Sequence, residues 1–282
     1  KIICLKKWEE CMYKAVISDL DGTLLNEKGK VSDFTRKTVR ELIDKGIKFY
    51  IATGRNYGLA KVVMDELGIT IPLISANGAR INDENGKVVF EDLLRQEEVE
   101  KIMETDYKKY GGNIFMNVFS GEDWLVPVGA LEYISEEERK HFPELPKEVS
   151  EDELKELEIQ KIFFIGEHED LVELEKEIIE KTGGKVAVAF ADERCVEFFS
   201  ETANKANAAK FLLERDGIDI KDAVSFGDGE NDYEMLTMAG KGFAMGNAIY
   251  RLKDMLPEDF ETVGKNSEDG EAKKLVEIFL KN

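Results

Sequence analysis

The run Ala15-Val16-Ile17-Ser18-Asp19-Leu20-Asp21-Gly22-Thr23-Leu24-Leu25 constrains this chain more than any other. Val16 and Ile17 read as part of a buried parallel strand, and the apolar run breaks abruptly into two carboxylates one residue apart. Open α/β sheets take their ligands beyond the carboxyl ends of their strands, so Asp19 belongs on the functional rim of such a sheet. Carboxylates at i and i+2 repel unless a cation neutralises them. For oxygen ligands beside a phosphate the natural cation is Mg²⁺. An ordinary Asp-Gly turn accounts for Asp21-Gly22 and leaves Asp19 unexplained.

Other segments lead to the same rim. Ser32 is a candidate cap for a helix to about Lys45, with Val39, Leu42 and Ile43 as its apolar stripe and Gly46 as its stop. The strand Ile47 to Ala52 follows and ends at Thr53-Gly54-Arg55. Strand, helix and strand form a βαβ unit whose two strand ends share an edge, so Thr53 comes close to Asp19. A hydroxyl and free backbone N–H groups at a turn entering a helix suit a phosphoryl oxygen. Pro72 to Ser75 reads as a third strand; the next turn, Ala76-Asn77-Gly78-Ala79, is either a type I′ hairpin or a substrate contact at Asn77, and the two are compatible. Lys205 falls in the first turn of a helix from Asn204 to Leu213, where a cation opposes the helix dipole; donating its charge to a phosphate is the better reason for it. Finally, the buried strand Ala223 to Phe226 breaks into Gly227-Asp228-Gly229-Glu230-Asn231-Asp232. That places Asp228 at a second strand tip, with Asp232 as a further ligand or an orienter of metal-bound water.

Taken together, these segments resemble the haloacid dehalogenase superfamily of phosphotransferases, in its Cof-type branch with a large α/β cap (type IIB). Asp19-Leu20-Asp21-Gly22-Thr23-Leu24 matches the first signature and Thr53-Gly54-Arg55 the second. Lys205 matches the third, with Ala206 where glycine is usual, and Gly227 to Asp232 the fourth. The turn at Asn77 and the segment Phe243 to Ala248, with Asn247, also resemble that branch. The resemblance implies that Asp19 is a nucleophile giving an aspartyl-phosphate and that Asp21 is a general acid and base. It further implies Mg²⁺ held by Asp19, the Asp21 carbonyl and Asp228, with Asp232 nearby. Thr53, Gly54, Arg55, Lys205 and Asn231 become candidates for holding the phosphoryl group or substrate.

The expected architecture is α/β: a Rossmann-like parallel-sheet core with an inserted α+β cap. The core is assigned residues 12–84 and 200–282 and the cap 85–199, with Lys1 to Cys11 set apart as an extension. In the cap the reading expects a strand near Val88, a helix from Gln96 to Tyr110, strands at Ile114 to Phe119, Trp124 to Val128, Lys161 to Ile165, Lys185 to Phe190 and Val196 to Phe199, and a helix from Glu169 to Lys181. A cap excludes water and selects the substrate. Spacing alone singles out no cap residue: Trp124, His141, His168 and Arg194 read as core or surface. Thr182-Gly183-Gly184-Lys185 reads as a helix stop.

The 282 residues carry a formal net charge of −20, which repels nucleic acid and anionic membranes, so any phosphorylated substrate must be met by a local cation and a few basic side chains. Acidic runs interleaved with lysine, as in Glu169 to Glu180, are solvated helix faces. Cys4, Cys11 and Cys195 form no ligand set or disulfide framework, which is the usage of a reducing, cytoplasmic setting. No run is long enough to span a bilayer. The expected activity is Mg²⁺-dependent hydrolysis of a small phosphorylated metabolite, a sugar phosphate first, by a monomer or dimer. A phosphomutase or a catalytically silent binding protein on the same fold are the alternatives.

Overall fold

The computed structural model describes residues 13–133 and 145–281; Lys1 to Met12, including the expected extension, and His141 lie outside them. Its strands are, in chain order, β1 (Ala15–Ser18), β2 (Lys48–Ala52), β3 (Leu73–Ser75), β4 (Arg80–Asn82), β5 (Val88–Glu91), β6 (Phe115–Ser120), β7 (Asp123–Pro127), β8 (Lys147–Val149), β9 (Lys161–Ile165), β10 (Val186–Asp192), β11 (Cys195–Ser200), β12 (Ala223–Gly227) and β13 (Lys241–Ala244). They form a seven-stranded sheet, β13-β12-β1-β2-β3-β4-β5, and a six-stranded sheet, β10-β11-β9-β6-β7-β8. The fold is thus α/β with a largely parallel core and an inserted α+β cap.

In the core sheet, period-2 alternation sends Val16 into one apolar layer with Phe49, Ile51, Val224 and Phe226, and Ile17 into the opposite one with Tyr50, Ala52 and Leu212. Burial on both faces is what a continuous apolar run in a parallel sheet requires. Parallel pairing in register sets Ser18 opposite both Ile51 and Phe226, so β1, β2 and β12 end on one rim. The helices that follow start with side-chain caps: Ser32 accepts from the Thr35 N–H at 3.0 Å and Asn56 from Leu59 at 2.9 Å. Asn204 accepts from Asn207 at 2.7 Å and starts the helix Lys205–Arg215. Each cap satisfies an otherwise orphaned helical donor and fixes where the helix begins.

Two expectations need correction. The strand near Val88 is part of the core sheet: the tight turn Asp83–Gly86 brings it back antiparallel to β4, with Ile81 opposite Phe90, so the core sheet runs on to Glu91. The helix starting at Gln96 ends at Met103 instead of Tyr110. There the Thr105 hydroxyl donates back to the Lys101 carbonyl at 2.9 Å, and a separate turn, Tyr107–Lys109, delivers Tyr107 onto Phe164 in the cap's apolar core.

The cap sheet has two different faces. Met116, Val118, Ile162, Phe164, Val196 and Phe198 pack beneath the helices Gln96–Met103 and His168–Thr182. The alternate residues Phe119, Phe163 and Phe199 meet Ala76, Ala79 and Ala203 of the core chain. Thus the cap lies directly over the rim that bears Asp19.

The turn between β3 and β4 must make room for this packing. Gly78 has φ +93°, and a Cβ there would strike the backbone carbonyl of Asn204, the cap of the helix carrying Lys205. Gly78→Ala is expected to lower the unfolding free energy by roughly 2–4 kcal/mol, from combined φ strain and backbone clash, with an unchanged denaturant slope. Urea unfolding checks this; a loss below about 0.5 kcal/mol would mean the turn adapts freely.

Candidate active site

Asp19 leaves the tip of β1 with its N–H bonded to the Phe226 carbonyl at 3.0 Å, which fixes it against the end of β12. One residue beyond β12 comes Asp228. Carboxylate oxygens of Asp19, Asp228 and Asp232 all lie within 4.8 Å of one another, and all three side chains are buried. Lys205 reaches them from the start of its helix, donating to Asp19 Oδ1 at 2.6 Å and to Asp232 Oδ1 at 2.7 Å. The other Asp232 oxygen accepts the N–H groups of Asp228 and Gly229 at 2.8 and 2.9 Å, which pins the loop. Gly22, at φ +78°, passes so close to Asp228 that any Cβ would strike its carboxylate. Thr23 donates to Asp228 Oδ1 at 2.8 Å.

Charge in this cluster is poorly compensated. Burial pushes the Asp19 carboxyl up to about 8; Lys205 works against this, and the negative charges of Asp232 and Asp21 add to it. Asp228 is raised well above the usual carboxylate range by burial and then by Asp19 and Asp232, with only Thr23 and Lys205 opposing. Burial alone would drive the Lys205 ammonium down, but Asp19 and Asp232 outweigh it and hold it above its ordinary value. One lysine among three buried carboxylates leaves excess negative charge, and these hard oxygen donors suit a divalent cation. The acidic group therefore fits a divalent metal.

Around this centre the other expected residues gather. Thr53 is buried at the end of β2, and its hydroxyl accepts the Arg55 N–H at 3.1 Å. The Arg55 guanidinium grips Asp21 with two bonds, Nε to Oδ2 at 2.7 Å and Nη2 to Oδ1 at 2.5 Å. Gly54 and Asn231 line the same cleft. Asn231 Nδ2 donates to Asn77 Oδ1 at 3.0 Å, while Lys205 approaches its Oδ1 at 3.4 Å. Asn77 is thus buried beside Asn231 in the β3–β4 turn, and the hairpin reading of that turn holds. Asn247 donates to the Gly22 carbonyl at 2.8 Å and braces the turn that carries Asp21.

The cleft over these groups measures about 510 Å³, and its roof is the cap. Leu59 of the core and Phe119, Trp124, Phe163 and Ile165 of the cap make an apolar, largely aromatic wall. Trp124, read from sequence as core, lines the cleft; Arg194 and His168 do not, the first pairing with Glu167 and the second meeting Tyr250. Lys161 and Glu197 were not anticipated. Both line the cleft and form a buried ion pair. The available signal was a charge inside each of two apolar strands, Lys161-Ile162-Phe163-Phe164-Ile165 and Cys195-Val196-Glu197-Phe198-Phe199.

Comparison with known proteins gives the chain a family and a fold. A family model described as haloacid dehalogenase-like hydrolase matches residues 16–275. A Buchnera aphidicola (subsp. Baizongia pistaciae) protein provisionally named a phosphatase is 36% identical over 275 residues, covering 96% of this chain and all of the relative. An HMP-PP phosphatase of Yersinia pestis is 30% identical, covering 93% of each chain. Among solved structures, a haloacid dehalogenase-like hydrolase from B. subtilis superposes with a TM-score of 0.78 at 26% identity, covering 93% of this chain and 98% of its own. A sugar phosphatase of subclass IIB, at 23% identity and TM-score 0.76 over 94% of this chain and 98% of its own, shares the fold.

Behind β1 lies one further carboxylate with a measurable signature. Glu271 is buried, and among the described residues neither of its oxygens has a hydrogen-bond partner. Burial pushes its carboxyl up to about 8; the nearby Ser18 hydroxyl, which donates to the Asp19 carbonyl, offsets this only in part, and the charge of Asp19 adds to it. A carboxyl raised in the folded state binds a proton that the unfolded chain has released. Stability is therefore lost as pH rises from about 4.5 to about 8, by an amount on the order of a few kcal/mol. Glu271→Gln is expected to be more stable than the unaltered protein at pH 8, and the gap is expected to shrink toward pH 5. Denaturant unfolding at the two pH values measures this, and a gap independent of pH would contradict it.

Proposed function

Because the chain belongs to the haloacid dehalogenase-like hydrolases, we propose that this phosphoric monoester hydrolase is a Mg²⁺-dependent phosphatase of a small organic phosphate, a sugar phosphate first among them. The observation that carries this reading is the convergence of Asp19, Asp228 and Asp232 on one point, with Lys205 between them. Asp19, the Asp21 carbonyl and Asp228 would hold Mg²⁺, with Asp232 fixing the loop behind; the ion supplies charge neutralisation for nucleophile and phosphate alike.

The side chains of the protein divide the remaining work. The Asp19 carboxylate attacks phosphorus in line, and the bond from phosphorus to the ester oxygen breaks. Lys205, the Thr53 hydroxyl and the N–H groups of the Thr53 turn hold the oxygens on which charge accumulates. Asp21 gives its proton to the departing alkoxide, then takes one from the water that attacks the aspartyl-phosphate and frees Asp19. In the resting arrangement Arg55 occupies both oxygens of Asp21. A phosphate ester arriving as its monoanion offers Arg55 a competing partner and carries in the proton that the freed Asp21 carboxylate takes up and then passes to the leaving alkoxide.

The aromatic wall formed by Phe119, Trp124 and Phe163 favours a second reading of the leaving group, a phosphorylated aromatic compound stacked on those rings. HMP-PP, named for the Yersinia pestis relative, belongs in the same substrate panel as hexose and pentose phosphates. Mutase action needs a second phosphate cluster, whereas among the described residues the basic side chains lining the cleft, Arg55 and Lys161, are each already bound to a carboxylate.

Asp19→Asn is expected to reduce Mg²⁺-supported turnover of p-nitrophenyl phosphate by about 10³-fold or more while the protein stays folded by circular dichroism. Chelation of metal from the unaltered enzyme is expected to abolish turnover, and added Mg²⁺ to restore it. Undiminished hydrolysis by Asp19→Asn would remove the aspartyl-phosphate mechanism, and turnover indifferent to chelator would remove the metal.

A further inference from the structure

We propose that the buried Lys161–Glu197 pair is a positioning device that couples the seating of the cap to the geometry of the Thr53 turn and of Asn231. The two residues project from neighbouring cap strands, β9 and β11, onto the face that looks at the active site. Their side chains are only 2% and 5% exposed. Burying two ions beside Phe119, Phe163 and Phe199 carries a desolvation penalty that well-packed apolar residues would avoid. Stability of the cap is therefore a poor explanation for them.

Their hydrogen bonds supply a better one, because both residues reach across to the core. Lys161 Nζ donates to Glu197 Oε1 and to the backbone carbonyl of Gly54, each at 2.5 Å, and lies 4.9 Å from the ring centres of Phe119 and Phe163. The Gly54 carbonyl belongs to the peptide whose N–H, on Arg55, bonds the Thr53 hydroxyl. Holding that peptide from the cap side fixes the hydroxyl proposed to meet phosphate. The second Glu197 oxygen accepts from Asn77 Nδ2, and Asn231 Nδ2 lies 3.5 Å from it. From Asn231 the chain continues to Lys205 and Asp19. A cap lifted from the core loses both ends of this network at once, so the site is complete only when the cap is down. Neither residue needs to touch substrate for this role.

The kinetic part of the test rests on the phosphatase reading; the exchange part does not. Removing Lys161 alone strands a buried carboxylate and invites unfolding. The informative variant is therefore the double one, Lys161→Met with Glu197→Gln, which leaves neither charge behind; Lys161→Arg is the conservative control. With p-nitrophenyl phosphate and Mg²⁺, the double variant is expected to lose about 100-fold in kcat with KM changed less than about three-fold, as for displaced positioning groups. Amide hydrogen exchange at Arg55, Ala76 and Asn77, whose N–H groups bond the Thr53 hydroxyl, the Arg55 carbonyl and the Thr53 carbonyl, is expected to quicken by about ten-fold. Lys161→Arg is expected to recover most of both losses. Unchanged kcat and exchange in the folded double variant would overturn the proposal, leaving the pair as cap packing. A fall in kcat with unchanged exchange would also overturn it, since the pair would then act on the substrate itself. If the unaltered protein hydrolyses no phosphate ester, the phosphatase reading fails, and exchange in the variants still decides whether the pair holds the turn.

Discussion

Mutual repulsion among Asp19, Asp228 and Asp232 is the constraint around which the molecule is arranged. Three carboxylates buried within 4.8 Å of one another do not assemble spontaneously in an apolar interior. Several elements hold them there. Parallel pairing of β1 with β12 brings Asp19 and Asp228 to adjacent strand ends. A capped helix delivers Lys205 between Asp19 and Asp232. Two backbone N–H groups clamp the remaining oxygen of Asp232. The scaffold thereby holds together an acidic cluster that could take a divalent cation, at a cost to its own stability that the two-sided apolar core offsets.

The same economy governs the turns around the site. Gly22 and Gly78 stand where backbone passes against Asp228 and against Asn204; a side chain at the first would displace the Asp228 carboxylate and at the second the start of the helix carrying Lys205. Arg55 and Asp21 hold one another across the entrance, while Asn247 and Asn77 fix the backbone and side chains on either side. Most residues near the reacting atoms are thus engaged by a second residue. Such engagement lets a site act without reorganising at the moment of reaction.

The cap contributes a different kind of control. Its sheet is an amphipathic layer in an unusual sense: one face is apolar and packed under helices, and the other combines aromatic rings with the Lys161–Glu197 ion pair. The rings form the wall of the cleft. The ion pair reaches through that wall to core atoms, so closing the cap and completing the site are one event. In the proposed mechanism substrate selection and catalytic geometry share this single interface, the arrangement expected where exclusion of water accompanies reaction.

How much of this was legible beforehand depended on the range of the interaction. Asp19, Asp21, Thr53, Lys205, Asp228 and Asp232 stand at strand ends or helix starts, positions that local patterns of apolar runs, glycines and caps mark in the chain itself; parallel connectivity then forces them onto one rim. The α/β core and the existence of an insert followed from the same patterns. Sequence alone did not place the strand at Val88, because a tight turn allows the next strand to join either sheet. Nor did it single out Lys161, Glu197 or Trp124. A period of two states which residues share a face of a strand, but which face meets the site depends on how two sheets dock. The Asp21–Arg55 grip and the bridge from Glu197 to Asn231 join residues 34 positions apart, and only three-dimensional packing selects such partners. The chain's local chemistry therefore determined the reactive rim, and the docking of the cap decided what surrounds it.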